Sequence, residues 1–150
     1  MQHHAFADAG IATYTDMVGR VGQMARGCRT PVIADADTGY GGLLNVRHTV
    51  MGYEAAGVSG IQLEDQEMPK KCGHTPGRRV IPAEEMALKI RVAAEARRLK
   101  LSYCPGVGTV SEAFAALEAG AAALKLFPAE MIPSAAVKAM RAVLPRAARL

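Results

Sequence analysis

Two stretches of the chain follow one plan at the same offset. Glu54-Ala55-Ala56-Gly57 leads into Ile61-Gln62-Leu63, and Leu117-Glu118-Ala119-Gly120 leads into Leu124-Lys125-Leu126. Each reads as a helix end, a glycine stop, a short link and a buried strand. A helix that returns each time into a buried strand is the βα unit, which needs a parallel sheet. Half of the 150 residues are apolar, so such units have enough material for a core. The fold class expected is α/β: a partial (β/α) TIM-type barrel of about four βα units, half of what a closed barrel requires.

The remaining elements fit the same alternation. A first helix is expected from Thr15 to Arg26, with Met17, Val21 and Met24 on one face and Gly27 as its stop. Pro31 to Asp35 is an apolar run read as a strand, followed by the turn Asp37-Thr38-Gly39-Tyr40-Gly41-Gly42. Asn45 is the expected cap of a second helix whose face is Val46, Val50 and Tyr53. Val58 to Leu63 forms the next strand, and Pro82-Ala83-Glu84-Glu85 opens a third helix with acids in its first turn. A strand over Leu101 to Cys104 is expected to enter the turn Pro105-Gly106-Val107-Gly108. Thr109 and Glu112 have capping-box spacing for a fourth helix that Gly120 ends. Leu124 to Phe127 is the last strand and Ser134 to Leu144 the last helix, stopped by Pro145.

Several function classes drop out on composition. No apolar run approaches the roughly 20 residues of a membrane span, and no N-terminal signal-peptide pattern is present. Cys28, Cys72 and Cys104 are an odd set without metal-ligand spacing, which argues against a disulfide framework or a zinc site and makes a reduced cytoplasm the expected location. The net charge of +4 is spread out, with no basic stripe and interleaved aromatics, so neither nucleic acid nor membrane is an expected partner. An anionic small molecule suits the charge better.

Two groups of residues carry chemistry. Asp35 and Asp37, two apart at a strand end, point to one side, and Glu64 ends the neighbouring strand in the same way. Three converging acids repel unless a cation holds them, and oxygen-only ligands suit Mg²⁺. Read blandly, Asp37-Thr38-Gly39 is only a turn and Glu64-Asp65 only a helix-capping acid pair. Lys70-Lys71-Cys72-Gly73-His74 follows in the next loop, where two lysines and a histidine around a thiol make it an acid–base candidate. A solvated basic loop with an incidental cysteine is the plain alternative. Further on, Lys125 lies inside an apolar strand. It is either snorkelling to the rim or desolvated into a nucleophilic amine.

The run Val32 to Gly41, together with Gly60 to Gln66, Lys70 to His74 and Val80 to Met86, resembles the isocitrate lyase / phosphoenolpyruvate mutase superfamily, over about residues 8 to 98. The Lys-Lys-Cys-Gly-His loop is most similar to the methylisocitrate-lyase-like branch. That resemblance implies Mg²⁺ held by Asp35, Asp37 and Glu64, directly or through water, and Cys72 as the general acid that protonates the departing carbon. Lys71, Gly73 and His74 would then bind substrate. Asp8 matches a further acid near the metal, though Ala7 stands where the family has proline. From about residue 101 to 145, Pro105 to Phe114 followed by Leu124 to Glu130 resembles the keto-deoxy-phosphogluconate and phosphogalactonate aldolases. By that likeness Lys125 forms a Schiff base with pyruvate, Phe127 lines the pocket, and no cofactor is needed.

The two resemblances meet near residue 100, dividing the chain into 1–100 and 101–150, expected to form one continuous unit in barrel order. Both implied chemistries cleave or form a carbon–carbon bond next to a 2-oxo acid through an enolpyruvate-like carbanion. A carbon–carbon lyase acting on a 2-oxo or 2-hydroxy acid is therefore expected, methylisocitrate-lyase-like first and Schiff-base aldolase second, against an inactive barrel remnant. A half barrel leaves sheet edges open, so a homo-oligomer is expected.

Overall fold

The computed structural model describes residues 7–73, 75–96, 102 and 104–150. The chain divides into two compact units, Met1–Leu99 and Lys100–Leu150. Each is built of parallel βα units.

In the first unit, helix α1 (Tyr14–Gly27) precedes strand β1 (Ile33–Asp35), helix α2 (Leu43–Ala55), strand β2 (Gly60–Gln62) and helix α3 (Ala83–Ala96). Thr13 and Asp16 form a capping box that sets the start of α1. β1 and β2 pair in parallel, with Ile33, Ala34 and Asp35 opposite Gly60, Ile61 and Gln62. Val46, Val50 and Tyr53 form the buried face of α2, as their spacing predicts. Tyr53 packs with Val21, Ala34 and Ala36, while Val46 and Val50 pack with Ala93 of α3. Asn45, expected as a cap, instead lies inside α2. Gly42 is the N-cap and uses no side chain, because extended glycine backbone makes the entry turn itself.

The second unit holds strand β3 (Gly106–Val107), helix α4 (Val110–Glu118), strand β4 (Lys125–Leu126), a 3₁₀ turn (Ala129–Met131) and helix α5 (Ser134–Val143). β3 and β4 are again parallel. Here too the observed strand lies further along than expected. The pairing runs through Gly106–Val107, within the stretch read as a turn, and the Pro105 carbonyl accepts from Lys125 N at 2.9 Å. Proline lacks an N–H but keeps a carbonyl, so it can open a strand. Of the expected strand, Leu101 and Tyr103 lie outside the described residues. The Thr109–Glu112 capping box starts α4. The core is Val107, Ala113, Leu124, Met140, Leu144 and Ala148.

The sequence repeat has a physical counterpart. After α2, Gly57 N and Val58 N donate to Glu54 O and Tyr53 O; after α4, Gly120 N and Ala121 N donate to Leu117 O and Ala116 O. Gly57 and Gly120 adopt φ of +89° and +86°. A Cβ would meet nothing closer than 3.9 Å at either, so left-handed backbone, rather than space, requires glycine there. Among the described residues no helix is long and apolar enough to cross a membrane.

Candidate active site around Lys70

The C-terminal ends of β1 and β2 deliver Asp37 and Glu64 to the same place, and the next loop sends Lys70 between them. Lys70 is only 2% exposed. Its Nζ lies 2.5 Å from Asp37 Oδ1, 2.8 Å from Asp8 Oδ1 and 3.6 Å from Glu64 Oε2. Burial alone pushes the ammonium down. The hydrogen bonds to Asp37 and Asp8, with the charges of Asp37 and Glu64, more than reverse that and hold it well above the ordinary lysine value. Asp8 is held below the usual carboxylate range, chiefly by its hydrogen bond from Lys70 and also by one from the Cys72 thiol.

Gln66 secures this arrangement. It is buried, donates from Nε2 to Glu64 Oε2 and to Lys71 O, both at 2.9 Å, and accepts from Lys71 N at 3.0 Å. One amide therefore fixes both the Glu64 carboxylate and the backbone that carries Lys70 and Cys72. Glu64 N in turn donates to Asp37 O at 2.8 Å.

Asp35 takes a different part. Its Oδ1 accepts from Asp37 N at 2.8 Å, folding the turn after β1. Beneath it Tyr53 donates to Asp35 O at 3.1 Å and shares a hydrogen bond with Tyr40 at 2.8 Å. Burial raises both phenols, and the Asp35 and Asp37 charges add to this, so the pair stays neutral.

The residues named from sequence are thus distributed unevenly. Asp37, Glu64 and Cys72 gather at Lys70, while Asp35 shapes the turn. Lys71 points away, its Nζ reaching Pro76 O and Gly77 O at 3.4 and 3.3 Å, and Gly73 sits in the loop turn. His74 lies outside the described residues. Among the described residues no group of three or more His, Cys, Asp and Glu side chains is gathered to hold a metal ion. What is gathered is a cation–carboxylate cluster: three carboxylates against one ammonium leave a formal charge of −2. Oxygen donors with that surplus suit a small hard dication beside Lys70, with water completing its shell. Lys70 and Gln66 are site residues to which the sequence assigns no individual role, while Asp8 is expected there only by resemblance. Lysine doublets and loop glutamines carry no periodicity that reveals which one turns inward.

In the second unit Lys125 is exposed, and its Nζ sits 4.8 Å from the centroid of the Phe127 ring. This is the rim arrangement of a lysine that keeps its head in water.

Comparison with known proteins agrees with this division. A family model described as phosphoenolpyruvate phosphomutase matches residues 2–102, and one described as KDPG and KHG aldolase matches residues 85–148. Over 95 residues, 63% of the chain, it is 52% identical to the 2,3-dimethylmalate lyase of Eubacterium barkeri, covering 33% of that protein. The 2-methylisocitrate lyase of Aeropyrum pernix is 47% identical over 94 residues, 63% of the chain and 30% of that enzyme. Among solved structures, 2,3-dimethylmalate lyase superposes with a TM-score of 0.75 at 31% identity, over 94% of the chain and 50% of that protein. A phosphonopyruvate hydrolase complex with oxalate and Mg²⁺ gives 0.65 at 28%, over 92% of the chain and 50% of that protein. The chain thus spans about a third of the curated relatives and half of the solved ones. Its fold is α/β, with two parallel-strand βα units in each of the two compact units, and it matches half of a solved 2,3-dimethylmalate lyase. With that family model matching two-thirds of its length, the chain belongs to the phosphoenolpyruvate phosphomutase family.

Proposed function

We propose that the Lys70 cluster is the active site of a carbon–carbon lyase that cleaves a 2-hydroxy acid of the methylisocitrate or dimethylmalate type to pyruvate and a second carboxylate. The observation that carries it is the buried Lys70 ammonium held among Asp8, Asp37 and Glu64, with Cys72 two residues on in the same loop. Two relatives, 52% and 47% identical over 63% of the chain, are named as lyases of these two acids.

Asp37 and Glu64 would hold Mg²⁺, with Asp35 orienting Asp37 through the turn. When bound, the ion would supply Lewis-acid stabilisation of the negative charge on the substrate's 2-oxygen as its proton leaves. The protein's own groups do the rest. Lys70 contributes a fixed positive charge that offsets repulsion among the three acids and holds their carboxylates together. In the cleavage the hydroxyl proton passes to water, the oxygen's freed electron pair closes the new carbonyl, and the C2–C3 bond breaks with its pair passing to the departing carbon. Cys72 gives that carbon a proton, and Asp8 keeps the S–H directed. Gln66 keeps Glu64 and the Cys72 loop in register. The three cysteines, all free, fit a reducing cytoplasm.

The test is pyruvate release from 2-methylisocitrate and from 2,3-dimethylmalate by the purified chain, with and without EDTA, and with Cys72→Ala. EDTA-sensitive release that drops in the variant supports the proposal. No release from folded protein opposes it.

A second reading is favoured by one observation, the aldolase-type match over residues 85–148 with Lys125 at a strand end beside Phe127. There Lys125 would form an imine with pyruvate, losing water. Borohydride trapping with pyruvate, using Lys125→Ala as control, separates the two: an adduct lost in the variant favours aldolase chemistry.

A further inference from the structure

Between Asp37 and Gly41 the backbone enters the left-handed half of conformational space four times, at Asp37 (φ 47°), Gly39 (89°), Tyr40 (59°) and Gly41 (141°). Glycine does this freely, but Asp37 and Tyr40 do so at a cost that their surroundings must offset. The turn is held from below by Tyr53 through Asp35 and from α2 by Thr49, whose Oγ1 donates to Gly39 O at 3.3 Å. One tether comes from far along the chain. Lys89 of α3, 6% exposed, donates from Nζ to Thr38 O at 3.1 Å, and Thr38 itself is 3% exposed.

A buried ammonium is an expensive way to fill a helix interface that leucine or methionine would fill as well. Its one distinctive act here is to grip the carbonyl next to Asp37. We propose that Lys89 is a positioning residue. By fixing the Thr38 carbonyl it locks the strained turn, and the turn sets the Asp37 carboxylate against Lys70. The inference rests on the Lys70 cluster being the working site. The path is short and fully bonded: Lys89 to Thr38 O, then the Asp37 backbone, then Asp37 O to Glu64 N and Asp37 Oδ1 to Lys70 Nζ. Without the tether the peptide between Thr38 and Gly39 is held only by its Gly39 N bond to Ala36 O. Asp37 can then relax to a right-handed conformation that turns its carboxylate away.

The experiment compares wild type with Lys89→Met and Lys89→Arg by amide hydrogen exchange and by NMR of the Lys70 side-chain ammonium. In Lys89→Met, exchange at Gly39 N and Glu64 N is expected to accelerate at least ten-fold more than at Ala36 N, which bonds Gln62 O across the sheet. The Lys70 ammonium signal is expected to shift or broaden, and Lys89→Arg to restore both. Acceleration spread evenly over the first unit, with Lys70 unmoved, would overturn the proposal and leave Lys89 a packing residue. If Lys89→Met does not fold, Lys89→Gln, whose amide nitrogen is one atom too short to reach Thr38 O, is read in the same way. Neither readout needs substrate or Mg²⁺, so a failure of the lyase reading would leave this result interpretable.

Discussion

Replacing Lys70 with methionine keeps a long apolar stem and removes the ammonium, leaving Asp8, Asp37 and Glu64 facing one another. The Asp37 contact is the sheltered one, with the lysine side chain 1% and the carboxylate 16% exposed. A hydrogen bond between charged groups in such a place contributes roughly 1.5–3 kcal/mol. Asp8 is 54% exposed, so solvent screening holds its share to about 1 kcal/mol or less. Glu64, at 3.6 Å, adds little directly. The expected loss is about 2–4 kcal/mol, and at a urea slope of roughly 2 kcal/mol/M the midpoint falls by about 1–2 M. The chain has no tryptophan, and three of its four tyrosines (Tyr14, Tyr40 and Tyr53) lie in the first unit, so tyrosine fluorescence reports mainly the unfolding that matters. pH provides an internal control. Lys70 is raised, so its contribution is present below the unfolded lysine value of about 10.4 and fades only as pH climbs through the higher folded value. Asp8 is lowered, so its contribution is present above about 3.9 and fades as pH falls through the folded value. The gap between wild type and variant should therefore be flat from about pH 5 to 10 and shrink below about pH 4. A midpoint moved by less than about 0.3 M, or a gap that does not shrink in acid, would refute the reasoning.

Tyr53→Phe removes a fully buried hydroxyl that bonds both Asp35 O and Tyr40, so a loss of about 1–3 kcal/mol is expected in the same denaturation assay. It should also loosen the turn at Asp37. Thr109→Ala breaks the capping box of α4 and should cost about 1 kcal/mol. That loss belongs to the second unit and is best followed by amide exchange at Ala113 and Leu117. Because Gly108 N and Thr109 N hold Glu112 below its ordinary range, the stabilisation there is present at neutral pH and lost as pH falls through that lowered value.

What was legible in the sequence follows from periodicity and turn chemistry. The faces of α2, the capping boxes at Thr13 and Thr109, and the glycine stops at Gly57 and Gly120 are local signals, and the structure keeps all the ones that were read. The Thr13–Asp16 box is obscured in the sequence, since Thr15, two residues after Thr13, is an equally good helix start. Asn45 misled because a helix can also start on glycine backbone alone. β3 was displaced because two paired residues leave too short a pattern to place. At the site, strand alternation brought Asp37 and Glu64 to one face. It could not show that Asp35 would spend its carboxylate on Asp37 N, nor that Lys70 rather than Lys71 would turn inward. The second of these is decided by Gln66 clamping the loop at Lys71, a contact with no sequence period behind it.

The central claim, that the carboxylates around Lys70 form a lyase cation site, is tested most directly by calorimetric titration of Mg²⁺ into the chain and into Asp37→Asn, both at neutral pH. The account predicts saturable one-to-one binding by the wild type that weakens at least ten-fold in the variant. Binding of equal strength in both, or none in folded wild type, would contradict it.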